Sequence, residues 1–253
     1  MRGLYNAAGS MLVNQVKMEN ISNNLSNLNT PGYKRNDVVQ RTFPEVLLYR
    51  TEKKPFTRGG LHGPVGIAAE NVALEEIPAI HLPGSLLTTG RKLDVALQED
   101  GFFMVETPEG MRYTRDGHFH LSQDGVLVNA RGYPVWGLEG PVLLEDENPF
   151  VDRSGHIYVD GEHVNTIRVV SFEEGTPLWK EGYTLFQVGE GFEPQVLENP
   201  VVFQGALESS NTDLSRQMTD MIRVRRTYEA AQKIAQVYDT LLSRAANDLG
   251  ALG

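Results

Sequence analysis

Residues 20–35 read NISNNLSNLNTPGYKR, and this stretch decides where the first long helix stops and what its faces carry. Asparagine is a poor helix former because its side chain competes for backbone hydrogen bonds. Five of them in ten positions, Asn20, Asn23, Asn24, Asn27 and Asn29, therefore need a role beyond local stability. The first four fall at helical spacing and share one face, while Ile21, Leu25 and Leu28 line another. An amide both donates and accepts, so a row of them suits a helix wedged between other polar groups; the plainer reading is a solvated polar face. Pro31 then forces Thr30 out of the helical region, and Pro31-Gly32 is a turn pair, so the helix ends here and Tyr33 begins extended chain.

Working back from this stop, an apolar or small residue recurs every seven positions. Leu4, Met11, Met18 and Leu25 form one row; Ala7, Ile21 and Leu28 form the other, with Asn14 as its polar exception. A sustained seven-residue stride is a packing seam against another helix. The pattern returns at the far end, where Leu207, Leu214, Met221, Tyr228, Ala235, Leu242 and Leu249 lie seven apart with Val224, Ala231, Tyr238, Ala245 and Leu252 between them. Ser210 and Gln217 interrupt it, and no proline or glycine breaks residues 206–249. As one helix, 207–252 would span about 70 Å, whereas a compact globule of this length is about 46 Å across. Such a helix either pairs with the amino-terminal one in an exposed hairpin or packs among helices of other subunits. Ser209, Ser210 and Asn211 are capping residues that equally place its start near 211.

Between the helices the signal changes to strands. Asp100-Gly101, Asp116-Gly117, Asp124-Gly125 and Asp160-Gly161 are hairpin-turn pairs separated by short apolar runs such as FFMVET, HFHLS, VLVNA and IRVVSF. The expected class is α+β: long amino- and carboxy-terminal helices with coiled-coil-like seams, brought together and flanking a mostly antiparallel β domain. The expected divisions are an assembly helix over 1–33, an extended connector with some strands over 34–85, the β domain over 86–206 and a second assembly helix over 207–253.

The chain has 253 residues and 40% apolar content, enough for a real core. No run of about 18 uncharged apolar residues suggests a membrane span. The amino terminus has a basic residue and a short apolar patch, but Asn14, Gln15 and Lys17 interrupt it before a signal-peptide core forms, so a cleaved secretory signal is not expected. Cysteine is absent, which removes disulfides, thiolate chemistry and cysteine metal sites. The net charge is −10, with 8 Lys/Arg against 23 Asp/Glu over residues 61–206. An acidic middle argues against nucleic-acid binding there. Arg223, Arg225 and Arg226 around Tyr228 are interleaved with Asp220 and Glu229, which reads as ion pairing along a packed helix.

Three places carry residue types suited to chemistry. His118 and His120 lie two apart on an expected strand and share a face, but two ligands do not make a metal site. Asp94, Asp116 and Asp124 could supply paired carboxylates for glycoside hydrolysis, although Asp116 and Asp124 sit in turns that use Asp for backbone reasons. GGLHGPVG (59–66) lacks the Lys-Ser/Thr of a phosphate loop, and Pro64 removes an amide donor. No catalytic residue, metal site or cofactor is expected.

Taken together, these segments resemble the flagellar axial protein family, the rod and hook proteins of the bacterial flagellum. Asn23 to Leu28 with Asn29, Thr30, Gly32, Tyr33 and Lys34 are similar to its amino-terminal signature. LTTGRKLDVAL (87–97), DGFFMVET (100–107) and YTRDGHFHLSQDGVLV (113–128) resemble its β-domain entry, and LESSNTDLSRQMTDMIRVRRTYEAAQKIAQ its terminal helix. The sequence departs from the family pattern at Ala231, where Asn is usual, and at Pro83, where Gln is usual. The length resembles a rod protein of the distal type rather than a hook protein.

The resemblance implies a structural subunit that polymerises into the rod, transmits torque and surrounds the export channel. Its partners would be further copies of itself, other rod and hook proteins and the flagellar export apparatus, with location in the basal body. Leu4, Met11, Met18 and Leu25 are then expected to pack on Leu214, Met221, Tyr228 and Leu242, with Ile21, Leu28, Val224 and Ala235 in the same seams. Asn20, Asn23, Asn24 and Asn27 would face the hydrated channel or bridge neighbouring helices. The alternatives are a secreted cell-wall-cleaving enzyme using Asp94, Asp116 or Asp124, and an export-coupled regulatory or capping subunit. In the free monomer, the unpartnered seams would leave both termini loosely ordered.

Overall fold

The computed structural model describes residues 2–42, 46–50, 63–68, 72–77, 83–146, 148–173, 175–189 and 191–250. The chain is α+β, with helices α1 (Arg2–Ser26) and α2 (Leu214–Gly250) at its two ends and antiparallel strands between them. It divides into two units. One holds 1–22, 38–77 and 215–253; the other holds 23–37 and 78–214.

In the first unit the segment expected as an extended connector carries nested strand pairs. Asp37–Thr42 pairs with Val72–Ile77, and Val46–Arg50 pairs antiparallel with Gly63–Ala68. The glycine-rich stretch GGLHGPVG (59–66) falls partly outside the described residues. On α1 the most buried line is Ala7, Asn14 and Ile21, the row whose middle member breaks the apolar pattern. Asn14 satisfies its amide within the helix, donating to the Ser10 carbonyl at 2.7 Å. On α2 the buried residues are Gln217 and Ala231, two heptads apart and again including the polar interruption. Gly3 and Tyr238 mark a close approach of the two helices, because a Cβ on Gly3 would overlap the Tyr238 ring.

The α2 helix starts at Leu214, not at 207. Leu207 lies in the strand Ala206–Glu208, which pairs with Leu86–Thr88, and that pairing takes the backbone groups a helix would need. Asn211 does not cap the helix; its side-chain oxygen accepts from the Arg35 amide at 2.8 Å. The helical part is therefore 37 residues, about 56 Å long.

The second unit is built around a six-stranded antiparallel sheet. Its order is Leu178–Glu181, Leu185–Val188, Gly110–Thr114, Phe102–Thr107, Val169–Ser171 and Gln195–Val196. The run FFMVET is apolar without alternation because both faces of its strand are covered. Phe103 and Val105 enter one core with Phe119, Val135 and Ile157, while Phe102 and Met104 enter another with Tyr113 and Phe186. Ring pairs at 5.3 Å (Phe103–Phe119) and 5.5 Å (Phe102–Phe186) meet edge-on in the two cores.

Two of the four Asp-Gly pairs make the expected hairpins. Asp160 and Gly161 both adopt positive φ, 52° and 85°, the two-residue turn suited to twisted strands, and Asp124-Gly125 joins His120–Leu121 to Leu127–Val128. The other two do not. The hairpin between Phe102–Thr107 and Gly110–Thr114 turns at Pro108-Glu109, so Asp100-Gly101 only leads into it. Gly117 lies against another backbone: its carbonyl accepts from the Val95 amide at 3.0 Å, and a Cβ there would overlap the Val95 carbonyl oxygen. Gly117→Ala is expected to destabilise this unit by about 3 kcal/mol, the upper end for forced overpacking; a urea unfolding midpoint equal to wild type would show that the backbones separate freely.

Candidate assembly site

The asparagine-rich stretch and the turn after it form a clasp within the second unit. Asn24 is buried. Its side-chain oxygen accepts from the Tyr33 hydroxyl at 2.9 Å and the Asn36 amide at 3.1 Å, and its amide donates to the Asn36 carbonyl at 2.9 Å. One side chain thus closes the chain reversal from α1 into the extended segment. Asn27, also buried, donates to the Asn23 carbonyl at 2.8 Å and accepts from the Thr30 hydroxyl at 3.2 Å. Asn27, just past the last residue of α1, competes with helical bonding through its bond to the Asn23 carbonyl, whereas Asn24 holds the chain that follows.

Gly32, at φ 65°, sets the turn down on the β domain. Its amide donates to the Glu208 carbonyl at 2.8 Å, and a Cβ would overlap the Arg115–Asp116 backbone. Tyr33 is buried, and burial pushes its hydroxyl up to about 12. The Lys180 ammonium lies 3.5 Å from the Tyr33 ring centre and donates to the Lys34 carbonyl at 2.7 Å.

The clasp centres on Glu208, whose side chain is 1% exposed, like that of Lys34. Lys34 Nζ donates to Glu208 Oε1, which also accepts from the Gly84 amide at 2.7 Å. Arg115 Nη1 lies 3.4 Å from Glu208 Oε2, its Nη2 is 3.5 Å from exposed Asp100, and its guanidinium stands 5.5 Å from the Phe102 ring centre. Desolvation lowers the Lys34 and Arg115 pKa values, and the Glu208 charge opposes it at both. One buried carboxylate thus joins the segment after α1, the strand before α2 and the central hairpin.

The expected seam residues occupy graded positions. Ile21 is buried; Leu4, Met11, Met18, Leu25, Leu28, Met221, Val224, Tyr228 and Ala235 are half-buried; Leu214 and Leu242 are exposed. Asn23 is exposed and Asn20 half-buried. Asn24 and Asn27 direct amide groups to partners within the chain. Lys34, Arg115 and Glu208 lie in the segments that resemble the axial family, but neither they nor Lys180 carry a spacing that marks them in the sequence as members of one site. The one visible signal is Glu208, a charge placed directly after Leu207 in an apolar row.

The carboxylates considered for hydrolysis have structural partners. Asp94, 1% exposed, accepts from Thr89 Oγ1 at 2.7 Å and contacts His118 Nδ1 at 2.9 Å. Asp116 accepts from the His118 amide at 3.0 Å, and Asp124 is exposed in its turn. Among the described residues, no group of three or more His, Cys, Asp or Glu could hold a metal ion.

Glu208→Gln is expected to cost about 3–5 kcal/mol, since it strands Lys34 and Arg115 without their counter-charge, whereas Lys34→Met, which leaves Glu208 paired with Arg115, should cost distinctly less; equal losses in chemical denaturation would refute the charge-based account. Burial raises the Asp116 pKa to about 6. A carboxyl with a raised folded-state pKa binds its proton more tightly folded than unfolded, so its contribution to stability increases as pH falls from above 6 toward 4. Asp116→Asn should remove that component and raise stability above pH 7 by about 2–3 kcal/mol; parallel stability–pH curves for variant and wild type would contradict it.

Three family models match this chain. "Flagella basal body rod protein" covers residues 4–34, "Flagellar hook protein FlgE/F/G D1 domain" covers 96–169, and "Flagellar basal body rod FlgEFG protein C-terminal" covers 204–249. They contain the clasp's Lys34, Arg115 and Glu208 respectively. The chain is 31% identical to the flagellar hook-basal body complex protein FlhO of Bacillus subtilis over 99% of each. It is 28% identical to the flagellar basal-body rod protein FlgG of the same organism over 98% of each, and 30% identical to FlgG of Agrobacterium fabrum over 98% of this chain and 100% of that one. With its length, both terminal segments and the core of its β domain matched, the chain belongs to the flagellar basal-body rod protein family, of the distal-rod type, and is a structural protein and not an enzyme.

Proposed function

We propose that this rod protein polymerises through α1 and α2 into a torque-transmitting tube around the export channel. The observation that supports this reading is two uncovered apolar clusters on α2. Leu214, Met218 and Ile222 follow at four-residue steps near its start, and Ile234, Val237 and Leu241 at three and four further along, turned about 130° around the helix axis from the first group; all six are 43–58% exposed. Covering a Leu or Ile side chain fully is worth about 1.5–3 kcal/mol, so neighbouring helices on these clusters have a large driving force. The half-buried residues Met221, Val224, Tyr228 and Ala235 form a further face, and Leu4, Met11, Met18, Leu25 and Leu28 would supply matching surface from α1. A helix with several apolar faces meets more than one neighbour, and a heterologous contact that does not close on itself builds a helical tube. Methionines 11, 18, 218 and 221 suit seams that must fit several neighbours.

Within this reading the partners are further copies of the chain, other rod and hook proteins and the flagellar export apparatus. Its place is the flagellar basal body, and the acidic middle of the chain gives nucleic acid no part in it. No described helix is long and apolar enough to cross a membrane. The clasp would carry load between the helices' adjoining segments and the β domain.

Replacing Ile222 and Leu241 by Asp should leave the β domain folded by circular dichroism yet abolish incorporation into purified hook-basal bodies, with rods ending short by electron microscopy. Full-length rods containing the doubly substituted chain in stoichiometric amount would refute assembly through these clusters.

A further inference from the structure

The three-stranded sheet Phe150–Val151, His156–Val159 and Glu162–Thr166 buries Val151 and Ile157 on one face. Phe150, His156, Tyr158 and His163 form a continuous ring cluster on the other. Tyr158 is in register with Phe150 on one side and His163 on the other. Ring centres step 6.1 Å from Phe150 to Tyr158, 5.6 Å on to His163 and 5.5 Å on to His156. Phe150 is 60% exposed. A solvent-facing sheet surface ordinarily carries polar residues, so four adjoining rings there need an occupant. A cleft of about 390 Å³, lined by Asn148, Phe150, Tyr158, Asp160 and Gly161, opens beside them.

The geometry points to a binding site for a neutral glycan chain on this platform. The C–H face of a pyranose packs on an aromatic ring, and its hydroxyls require donors and acceptors at the ring's edge. The Asn148 amide, the Asp160 carboxylate and the Tyr158 hydroxyl supply both kinds. The turn with positive φ at Asp160 and Gly161 fixes the carboxylate's backbone at the rim of the cleft. Charge selects among ligands: Asp152 pairs with His156 at 3.0 Å, Asp160 and Glu162 stand at the hairpin tip, and the whole chain carries −10. Phosphate, nucleic acid and anionic lipid would be repelled. An apolar peptide anchor requires a pocket that desolvates it fully, whereas this cleft is open and polar at one end. The site lies wholly outside both helices, so it stands independently of the assembly reading.

Titration calorimetry of the full chain with N-acetylglucosamine hexamer and with cellohexaose tests the assignment. Binding of at least one hexamer is expected, weakened about tenfold by Phe150→Ala, the scale of one lost aromatic contact, and retained by Phe150→Tyr. Trp179→Ala removes another exposed aromatic, 61% accessible at a sheet edge, and should leave affinity unchanged. The proposal is overturned if neither hexamer binds at millimolar concentration, if Trp179→Ala weakens binding as much as Phe150→Ala, or if Phe150→Tyr fails to retain it in protein with a native melting profile. A change in sedimentation on Phe150→Ala with no sugar binding would assign the platform to a protein contact and overturn it equally.

Discussion

A single buried carboxylate, Glu208, joins three segments of the second unit that lie far apart in sequence. Lys34 and Arg115 come from segments 174 and 93 residues away in sequence, and neither cation has water to return to. Their attraction to Glu208 must offset three desolvation penalties, which succeeds only with good geometry and additional hydrogen bonds. The Gly84 amide on one carboxylate oxygen and the Phe102 ring beside the Arg115 guanidinium supply part of that. Such a cluster adds little net stability over an apolar equivalent but strongly penalises any other arrangement. The cluster thereby specifies one arrangement of the turn after α1, the strand Ala206–Glu208 and the central hairpin within the second unit.

The surrounding residues obey this constraint. Gly32 lets the turn lie against the Arg115–Asp116 backbone, and Tyr33 reaches back to Asn24 while Lys180 covers its ring. The pairing of Ala206–Glu208 with Leu86–Thr88 holds Glu208 in place and delays α2 until Leu214. The asparagine-rich motif is thus divided in use. Asn24 and Asn27 act inside the subunit, at the end of α1 and on the extended segment after it, while Asn23 stays exposed.

The β domain has a different economy. Its central strand is covered on both faces, so stability is drawn from two aromatic-lined cores, and little of the acidic surface is needed for folding. That frees the outer sheet to display the Phe150–Tyr158–His163–His156 platform. On α2, likewise, Gln217 and Ala231 are buried while Leu214, Ile222, Ile234 and Leu241 stay exposed.

Much of this was legible in the sequence. Heptad spacing at both ends and the absence of proline and glycine over 206–249 determined two long helices, because helical period is a local property. Pro31-Gly32 required the first one to stop before Thr30, and it stops at Ser26; Asp124-Gly125 and Asp160-Gly161 determined two hairpins, since those turns require particular φ values. Other outcomes depended on contacts distant in sequence. Leu207 has the spacing of a helix but pairs as a strand, because Leu86–Thr88 offers it a ladder. Asp116-Gly117 has the composition of a turn but exists for a backbone contact with Val95. The apolar rows hide that Asn14 and Gln217 are among the buried members while Leu214 and Leu242 lie open. Above all, Lys34, Arg115 and Glu208 read singly as surface charges. Only the tertiary structure brings them together in the interior, because the free energy of a buried charge depends on which partner the fold delivers to it.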